Sequence, residues 1–158
     1  MQNSIKKGFS FGITSGIITT LGLMVGMFSS TNSQAIVIGS IITIAIADSL
    51  SDGLGMHLSE ESQKNTTSKN IWQATFSTVI TKFIVALTFI IPVLMFSLPT
   101  AIIISIFWGL ILLIIFSYYI AKNKNDRPVN VICEHIFIAV LVITVTYFIG
   151  IWISSFYK

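Results

Sequence analysis

The sequence predicts an all-α polytopic membrane protein with five transmembrane helices and a cytoplasmic N-terminus. Of its 158 residues, 54% are hydrophobic and only 9% are charged, and the mean hydropathy is +0.89. Soluble domains carry about 25% charged residues, so this composition is typical of the membrane class. Crossing a bilayer takes about 20 apolar residues, and five stretches are long enough. We expect them to form a single transmembrane domain covering residues 1–158, with spans at 8–28, 35–57, 71–96, 101–121 and 131–156.

The positions of lysine and arginine predict the orientation of these spans. Cations precede the first span and occupy the second-to-third and fourth-to-fifth connections, whereas residues 29–34 and 97–100 carry no charge. The positive-inside rule places the N-terminus and the two basic connections in the cytoplasm. Only Lys158 falls on the other side. The cations that set this orientation are Lys6, Lys7, Lys64, Lys69, Lys122, Lys124 and Arg127.

The first span imitates a signal peptide, because two lysines precede an apolar stretch and the small-residue run 29–35 follows it. The apolar part is longer than a typical signal core and contains glycine and threonine, so we expect it to be retained as a span. Small residues four apart let helices approach closely in lipid. The spacing therefore predicts helix packing, either within the subunit or at a symmetric dimer interface. The glycines concerned are Gly8, Gly12, Gly16, Gly22 and Gly26.

The second span contains two aspartates, Asp48 and Asp52, within the apolar run AIVIGSIITIAIADSLSDGLGMHL. A carboxylate in hydrocarbon costs about 2.5–3.5 kcal/mol even on lenient insertion scales, so the pair requires an explanation. Residues four apart lie on one helix face. That face should point to protein or water rather than lipid, because small or polar residues continue it. They are Ser40, Ala47, Ser51, Gly55 and Ser59.

The third span contains Lys82, preceded by Thr75 and Thr78 on the two turns before it. Lys82 lies about 16 Å into its span, a depth similar to that of Asp48 on the antiparallel second span. One interpretation is a buried Lys82–Asp48 salt bridge that only fixes helix register. One lysine does not neutralise two aspartates, however, so the other carboxylate must be protonated, paired elsewhere or available to a cation. Like charges one turn apart also oppose simultaneous ionisation, which suits a proton-exchanging site.

A second group of polar residues is expected near the cytoplasmic side, at the end of the second span and the start of the fifth. Carboxylate, imidazole and thioether ligands together suit a first-row divalent ion such as Fe²⁺ or Mn²⁺. The alternative interpretation is a set of ordinary interfacial anchors, since neighbouring helical residues point about 100° apart. The possible metal-collecting residues are Met56, His57, Glu60, Glu61, Glu134 and His135.

Several function classes find no support in the sequence. It contains no Walker motif, nucleophile elbow, HExxH motif or paired CxxC, so we expect neither an enzyme nor a bound cofactor. The few cations follow the predicted topology, and we expect no nucleic-acid partner.

Three segments carry a family resemblance: residues 11–20, residues 47–59 and the start of the third span up to Pro92. They resemble the vacuolar iron transporter family, which moves Fe²⁺ or Mn²⁺ out of the cytosol. Residues 11–20, FGITSGIITT, resemble its first-span G-x-x-D-G-L-x-T-T. Residues 47–59, ADSLSDGLGMHLS, resemble its second-span A-x-x-x-S-M-G-L-G-E-Y-L-S, and the start of the third span, ending at Pro92, resembles a third block. The resemblance implies a homodimer with a path between the first and second spans of two subunits. It also implies proton-coupled export of the ion from the cytosol, here across a prokaryotic cell membrane.

The chain departs from this pattern in the residues that would hold the ion. The family's first-span aspartate aligns with Ser15, and its second-span methionine aligns with Asp52. Lys82 is added, and the family's large cytoplasmic metal-binding domain is reduced to residues 59–70. We therefore expect a small divalent-metal transporter with Asp48, Asp52, Ser15 and Lys82 in its path. The alternatives are a non-transporting membrane scaffold whose buried charges are structural, and a transporter of another ion in which Lys82 binds an anion.

Overall fold

The computed structural model describes residues 2–124 and 126–156, and within them the chain is built from α-helices without strands. Lys158 lies outside the described residues, as does the side chain of Lys124. The helices are α1 (Gln2–Thr31), α2 (Gln34–Glu61), α3 (Ser68–Thr88), α4 (Ile90–Met95), α5 (Leu98–Lys124) and α6 (Pro128–Phe156).

Among the described residues, five helical segments are long and apolar enough to cross a membrane, which confirms the predicted all-α class with five candidate spans. The third of them, Ser68–Met95, combines α3 and α4. The second segment is longer than predicted, because the polar residues up to Glu61 continue the helix beyond the apolar run. The observed segments are Ser4–Thr31, Gln34–Glu61, Ser68–Met95, Leu98–Lys122 and Pro128–Phe156.

Helix α1 lies at the centre of the bundle, where it packs against α2, α3, α5 and α6. Its glycines explain the close approach. A Cβ atom on Gly12 would lie 2.8 Å from the Thr78 carbonyl oxygen of α3, and one on Gly22 would lie 2.6 Å from Val142 of α6. The glycine spacing of the first span therefore serves packing within the subunit.

The apolar core follows α1 along its length. Ile13, Ile17 and Leu21 are almost completely buried, and residues from α2, α4, α5 and α6 complete the cluster. Many large apolar side chains on the outer faces remain exposed, for example Leu54 on α2 and Phe148 on α6. A soluble protein of this size would bury such residues, so a lipid bilayer is the environment that matches this surface.

The third span is interrupted at Phe89, between α3 and α4. Pro92 lacks the backbone N–H that would bond to the carbonyl oxygen of Thr88, and its ring crowds that carbonyl. The backbone N–H of Phe89 bonds instead to the Ala86 oxygen, and Trp108 Nε1 of α5 donates to Thr88 Oγ1 at 3.2 Å. Pro92 itself lies within α4, three residues after the break, and α5 supports the break through the Trp108–Thr88 hydrogen bond.

Candidate functional site

The candidate site lies where α1, α2 and α3 meet, about halfway along the spans. Two glycines allow the helices to come close there. Gly16 of α1 lies beside the Lys82 side chain, because a Cβ at this position would be 3.3 Å from Lys82 Cγ. Gly53 of α2 faces α3, where a Cβ would be 2.3 Å from a methyl of Val79. Small residues on α1 and α2 therefore position both helices around a lysine on α3.

The Lys82 ammonium is in contact with one group from α1 and two from α2. Its Nζ atom lies 2.9 Å from Ser15 Oγ and 2.5 Å from Asp48 Oδ2. It also donates a hydrogen bond to Asp52 Oδ2, to which the Ser15 hydroxyl donates at 2.6 Å. The Asp48 contact is an ion pair by distance but lacks hydrogen-bond alignment. We call these four residues the central cluster.

Burial and charge differ across the central cluster. The Lys82 side chain is 1% exposed, whereas the side chains of Asp48 and Asp52 are 29% and 22% exposed. Two carboxylates share one ammonium, so the ionised cluster carries one excess negative charge. Such a charge is costly within a membrane unless a proton or a cation compensates it.

Asp48 borders an open groove of about 520 Å³ that runs along α2 beside Leu23 of α1. Gly39, Thr43 and Ala47 line this groove, and they begin a longer row of small residues four apart on the exposed face of α2, which we call the α2 stripe. A Cβ on Gly39 or Gly55 would meet no atom within 4 Å in the described chain, so nothing in this subunit covers the stripe. Its members are Gly39, Thr43, Ala47, Ser51, Gly55 and Ser59.

The structure brings together all four residues expected along the path, but it changes one pairing. The sequence favours Asp48 as the partner of Lys82 and leaves Asp52 free, because depth along antiparallel helices is the only guide. In the structure Lys82 reaches the gap between two turns of α2 and contacts both carboxylates, and Asp52 receives the aligned hydrogen bond. Ser15 bridges Asp52 and Lys82 only because α1 packs close to α2 and α3. The residue pattern of α2 alone does not predict that packing.

The expected metal-collecting residues are not assembled into one group. Helix α2 packs on α1 and α3, whereas α6 packs on α1 and α5, so their polar ends have different neighbours. Glu134 is exposed, and His135 Nδ1 lies 2.7 Å from Ser117 Oγ of α5. Among residues 2–124 and 126–156, no group of three or more His, Cys, Asp or Glu side chains is arranged to hold a metal ion.

On α2, the four expected residues do not all face the same neighbours. His57 Nδ1 lies 3.1 Å from Thr75 Oγ1, and its ring packs edge-on against Trp72 of α3. Met56 is half-buried and Glu61 is exposed. Glu60 is buried and forms an ion pair with Lys7 of α1 at 2.9 Å, a contact that the sequence did not predict.

Neither a known protein family nor a curated protein sequence matches this chain.

Proposed function

We propose that the protein is a membrane transporter of divalent transition-metal cations, Fe²⁺ or Mn²⁺, which it exports from the cytosol in exchange for protons. The observation that supports this most directly is the central cluster, where two aspartates share a single buried lysine within the spans. Intramembrane carboxylates that are not fully neutralised are typical of ion and proton pathways. The resemblance of residues 11–20 and 47–59 to the vacuolar iron transporter family supports the choice of ion.

The geometry suggests how a cation would reach the aspartates. Asp48 borders the groove along α2, and its Oδ2 atom has an ion-pair contact but no aligned hydrogen bond. A dication arriving from the cytosolic end would compete with the Lys82 ammonium for Asp52 and then pass to Asp48, which borders the groove on the other side. With the dication and the ammonium both present, the cluster would carry excess positive charge. That excess is one positive charge, and release of one proton would restore neutrality, which is the support for proton coupling.

We propose that the working unit is a homodimer formed through the α2 stripe. Small residues at a spacing of four allow close helix contact in lipid, and this stripe is uncovered within the subunit. A second copy would close the open side of the groove beside Asp48. The ion path would then run between the first and second spans of two subunits, as the family resemblance implies. The predicted orientation places the N-terminus in the cytoplasm.

Transport can be tested in proteoliposomes that contain a Mn²⁺-sensitive dye. Uptake should fall strongly in Asp52→Asn and in Asp48→Asn, because each change removes a carboxylate from the path. Asp126→Asn is the matched control, since it alters an exposed aspartate between α5 and α6. Unchanged uptake in both cluster variants would sink the proposal.

One observation favours a second candidate, a membrane scaffold whose charges only hold helices together. Lys82 already has contacts with Asp48, Asp52 and Ser15, so its positive charge is compensated without a bound ion. The scaffold predicts that the exchanged pair Asp48→Lys with Lys82→Asp remains folded and functional in the cell. A Mn²⁺-dependent rise in melting temperature that disappears in Asp52→Asn would argue against the scaffold.

An anion-binding role for Lys82 is disfavoured by the same contacts. An anion would have to displace two carboxylates from a lysine that is 1% exposed. Competition between Mn²⁺ and a panel of anions in the same proteoliposomes would distinguish cation transport from anion binding at Lys82.

A further inference from the structure

A second polar layer lies beneath the central cluster, at the end of the α1–α2 interface that carries Lys7. A cavity of about 360 Å³ opens there between α1 and α2, with Ile120 of α5 at one side. Six of the eight residues that line it have polar or charged side chains, unlike the lipid-facing surface of the spans. We call this cavity the vestibule; its lining includes Lys6, Lys7, Ser10, Met56, Glu60 and Gln63.

Glu60 is an unusual residue for the edge of such a cavity, because its side chain is only 3% exposed. Its Oε1 atom accepts hydrogen bonds from Lys7 Nζ at 2.9 Å and from Gln63 Nε2 at 3.1 Å. Lys7 Nζ also donates to Gln63 Oε1 at 3.1 Å. A buried carboxylate remains ionised at modest cost only while it is paired, so Lys7 is what keeps Glu60 in this position.

The vestibule lies in line with the central cluster. Asp52, Met56 and Glu60 are successive residues four apart on α2, so they share one face of the helix. Glu60 is about 12 Å from Asp52 along the helix axis, and Lys7 is about 12 Å from Ser15 along α1. The two antiparallel helices therefore meet in two polar contacts at matching levels, with Met56 and Ser10 between them.

At both levels a lysine from another helix pairs with a carboxylate of α2, one carboxylate at the outer level and two at the inner level. The lysine is Lys82 at the inner level and Lys7 at the outer level. The lysines differ in mobility, because the Lys7 side chain is 43% exposed whereas that of Lys82 is 1% exposed. Lys7 can move into water when a cation takes its place on Glu60, whereas the buried Lys82 has no such access to water.

We propose that the Lys7–Glu60 pair is a gate that closes the vestibule, and that Glu60 is the outer capture site for the cation destined for Asp52. This rests on the proposed function as far as the identity of the cation is concerned. An arriving divalent cation replaces the Lys7 ammonium on Glu60, and the released Lys7 side chain moves into water. The cation then passes the Met56 thioether, a ligand that soft and borderline transition metals accept. Glu61 and His57 take no part in this path, since Glu61 is exposed and His57 is bound to Thr75 of α3.

The gate can be tested by thiol accessibility, which does not depend on transport. The reporter is Ser10→Cys in a Cys133→Ser background, since Cys133 is exposed and would also react. The purified protein is treated with a cationic, membrane-impermeant methanethiosulfonate. Lys7→Met should accelerate the modification about fivefold, which corresponds to an ion pair worth about 1 kcal/mol. Glu60→Gln should accelerate it as well, and the exchanged pair Lys7→Glu with Glu60→Lys should restore the slow rate.

Two controls separate gating from general loosening. Lys69→Met removes an exposed lysine from α3, outside the vestibule, and should leave the rate unchanged. A second reporter, Ser105→Cys, lies in the fully buried core of α5 and should stay unreactive in Lys7→Met. Equal acceleration at both reporters would overturn the proposal, as would an unchanged Ser10→Cys rate in both Lys7→Met and Glu60→Gln.

Capture by Glu60 is tested with Mn²⁺ alone. Added Mn²⁺ should accelerate modification of the Ser10→Cys reporter when Glu60 is present, and it should have no effect in Glu60→Gln. If Mn²⁺ leaves the rate unchanged in both proteins, Glu60 is not a capture site. This result is independent of the transport assay: a protein that transports Mn²⁺ through Asp52 without a response at Ser10→Cys would keep its function and lose the gate.

Discussion

At the scale of single residues, Lys82 is the side chain on which the arrangement of three helices depends. It is almost fully buried, and its ammonium has partners on both α1 and α2. A buried charge is tolerated only with such partners, and removal of one member leaves the others uncompensated. The stability of the bundle should therefore respond to this residue more than to any surface lysine.

We predict that Lys82→Met destabilises the protein by about 3 kcal/mol, because two carboxylates lose their shared counter-ion. Thermal unfolding of the detergent-solubilised protein measures this loss. Lys69→Met is the matched control and should shift stability by less than about 0.5 kcal/mol, as expected for an exposed position. Adding Asp48→Asn and Asp52→Asn to Lys82→Met should recover most of the loss. If Lys82→Met is as stable as the parent protein, the central cluster does not contribute to the stability of the bundle.

At the scale of helices, α1 can occupy the centre of the bundle because its glycines face α3 on one side and α6 on the other. The contacts are not equally tight. A Cβ on Gly12 would lie 2.8 Å from a backbone oxygen of α3, whereas one on Gly26 would meet Thr146 of α6 at an ordinary 3.5 Å. Backbone atoms of a packed helix cannot yield as a side chain can, so the two positions should tolerate a methyl group differently.

We predict that Gly12→Ala lowers the free energy of unfolding by about 1–3 kcal/mol, since α1 and α3 must separate to fit the methyl group. Gly26→Ala is the control on the same helix and should be neutral or stabilising by up to about 1 kcal/mol, the gain in helix propensity. Denaturation of both variants under identical detergent conditions gives the comparison. Equal effects at the two positions would show that the α1–α3 contact can accommodate a methyl group without separation of the helices.

The α2 stripe makes a prediction about association between subunits. In a Cys133→Ser background, Ala47→Cys should form a disulfide-linked dimer on mild oxidation in membranes, because a disulfide requires Cα atoms within about 7 Å. Phe137→Cys, an exposed position on α6, is the control and should remain monomeric. Non-reducing gel electrophoresis reads out both proteins. Dimers through Phe137→Cys but not through Ala47→Cys would place the subunit interface on α6 instead.

At the scale of the whole molecule, the sequence predicts the five spans well because hydropathy depends only on local composition. Hydropathy does not predict which helices become neighbours. The ion pair between Lys7 and Glu60 joins residues 53 apart, and it forms only because α1 and α2 run antiparallel in one particular register. In the sequence, Lys7 indicates only the orientation of the first span. The break at Phe89 is equally hidden, because the predicted span over residues 71–96 continues through it.

We predict that the connections between spans react from opposite sides of the membrane. In a Cys133→Ser background, Ser97→Cys should be labelled by an impermeant maleimide in intact cells, and Lys64→Cys only after permeabilisation. Both residues are exposed, so the difference reports sidedness rather than burial. The expectation follows from the positive-inside rule. The reverse labelling pattern would invert the orientation and make the vestibule an extracellular feature.

The short connection between α2 and α3, residues 62–67, has a consequence for how the chain enters the membrane during synthesis. A lysine at the centre of a single inserting helix costs about 2.5–3.5 kcal/mol, and an aspartate costs a similar amount. Because Asp48, Asp52 and Lys82 lie on consecutive helices joined by so short a link, the two segments can leave the translocon as a hairpin with opposite charges already facing. The pairing that organises the mature bundle would thus also ease the insertion of α3.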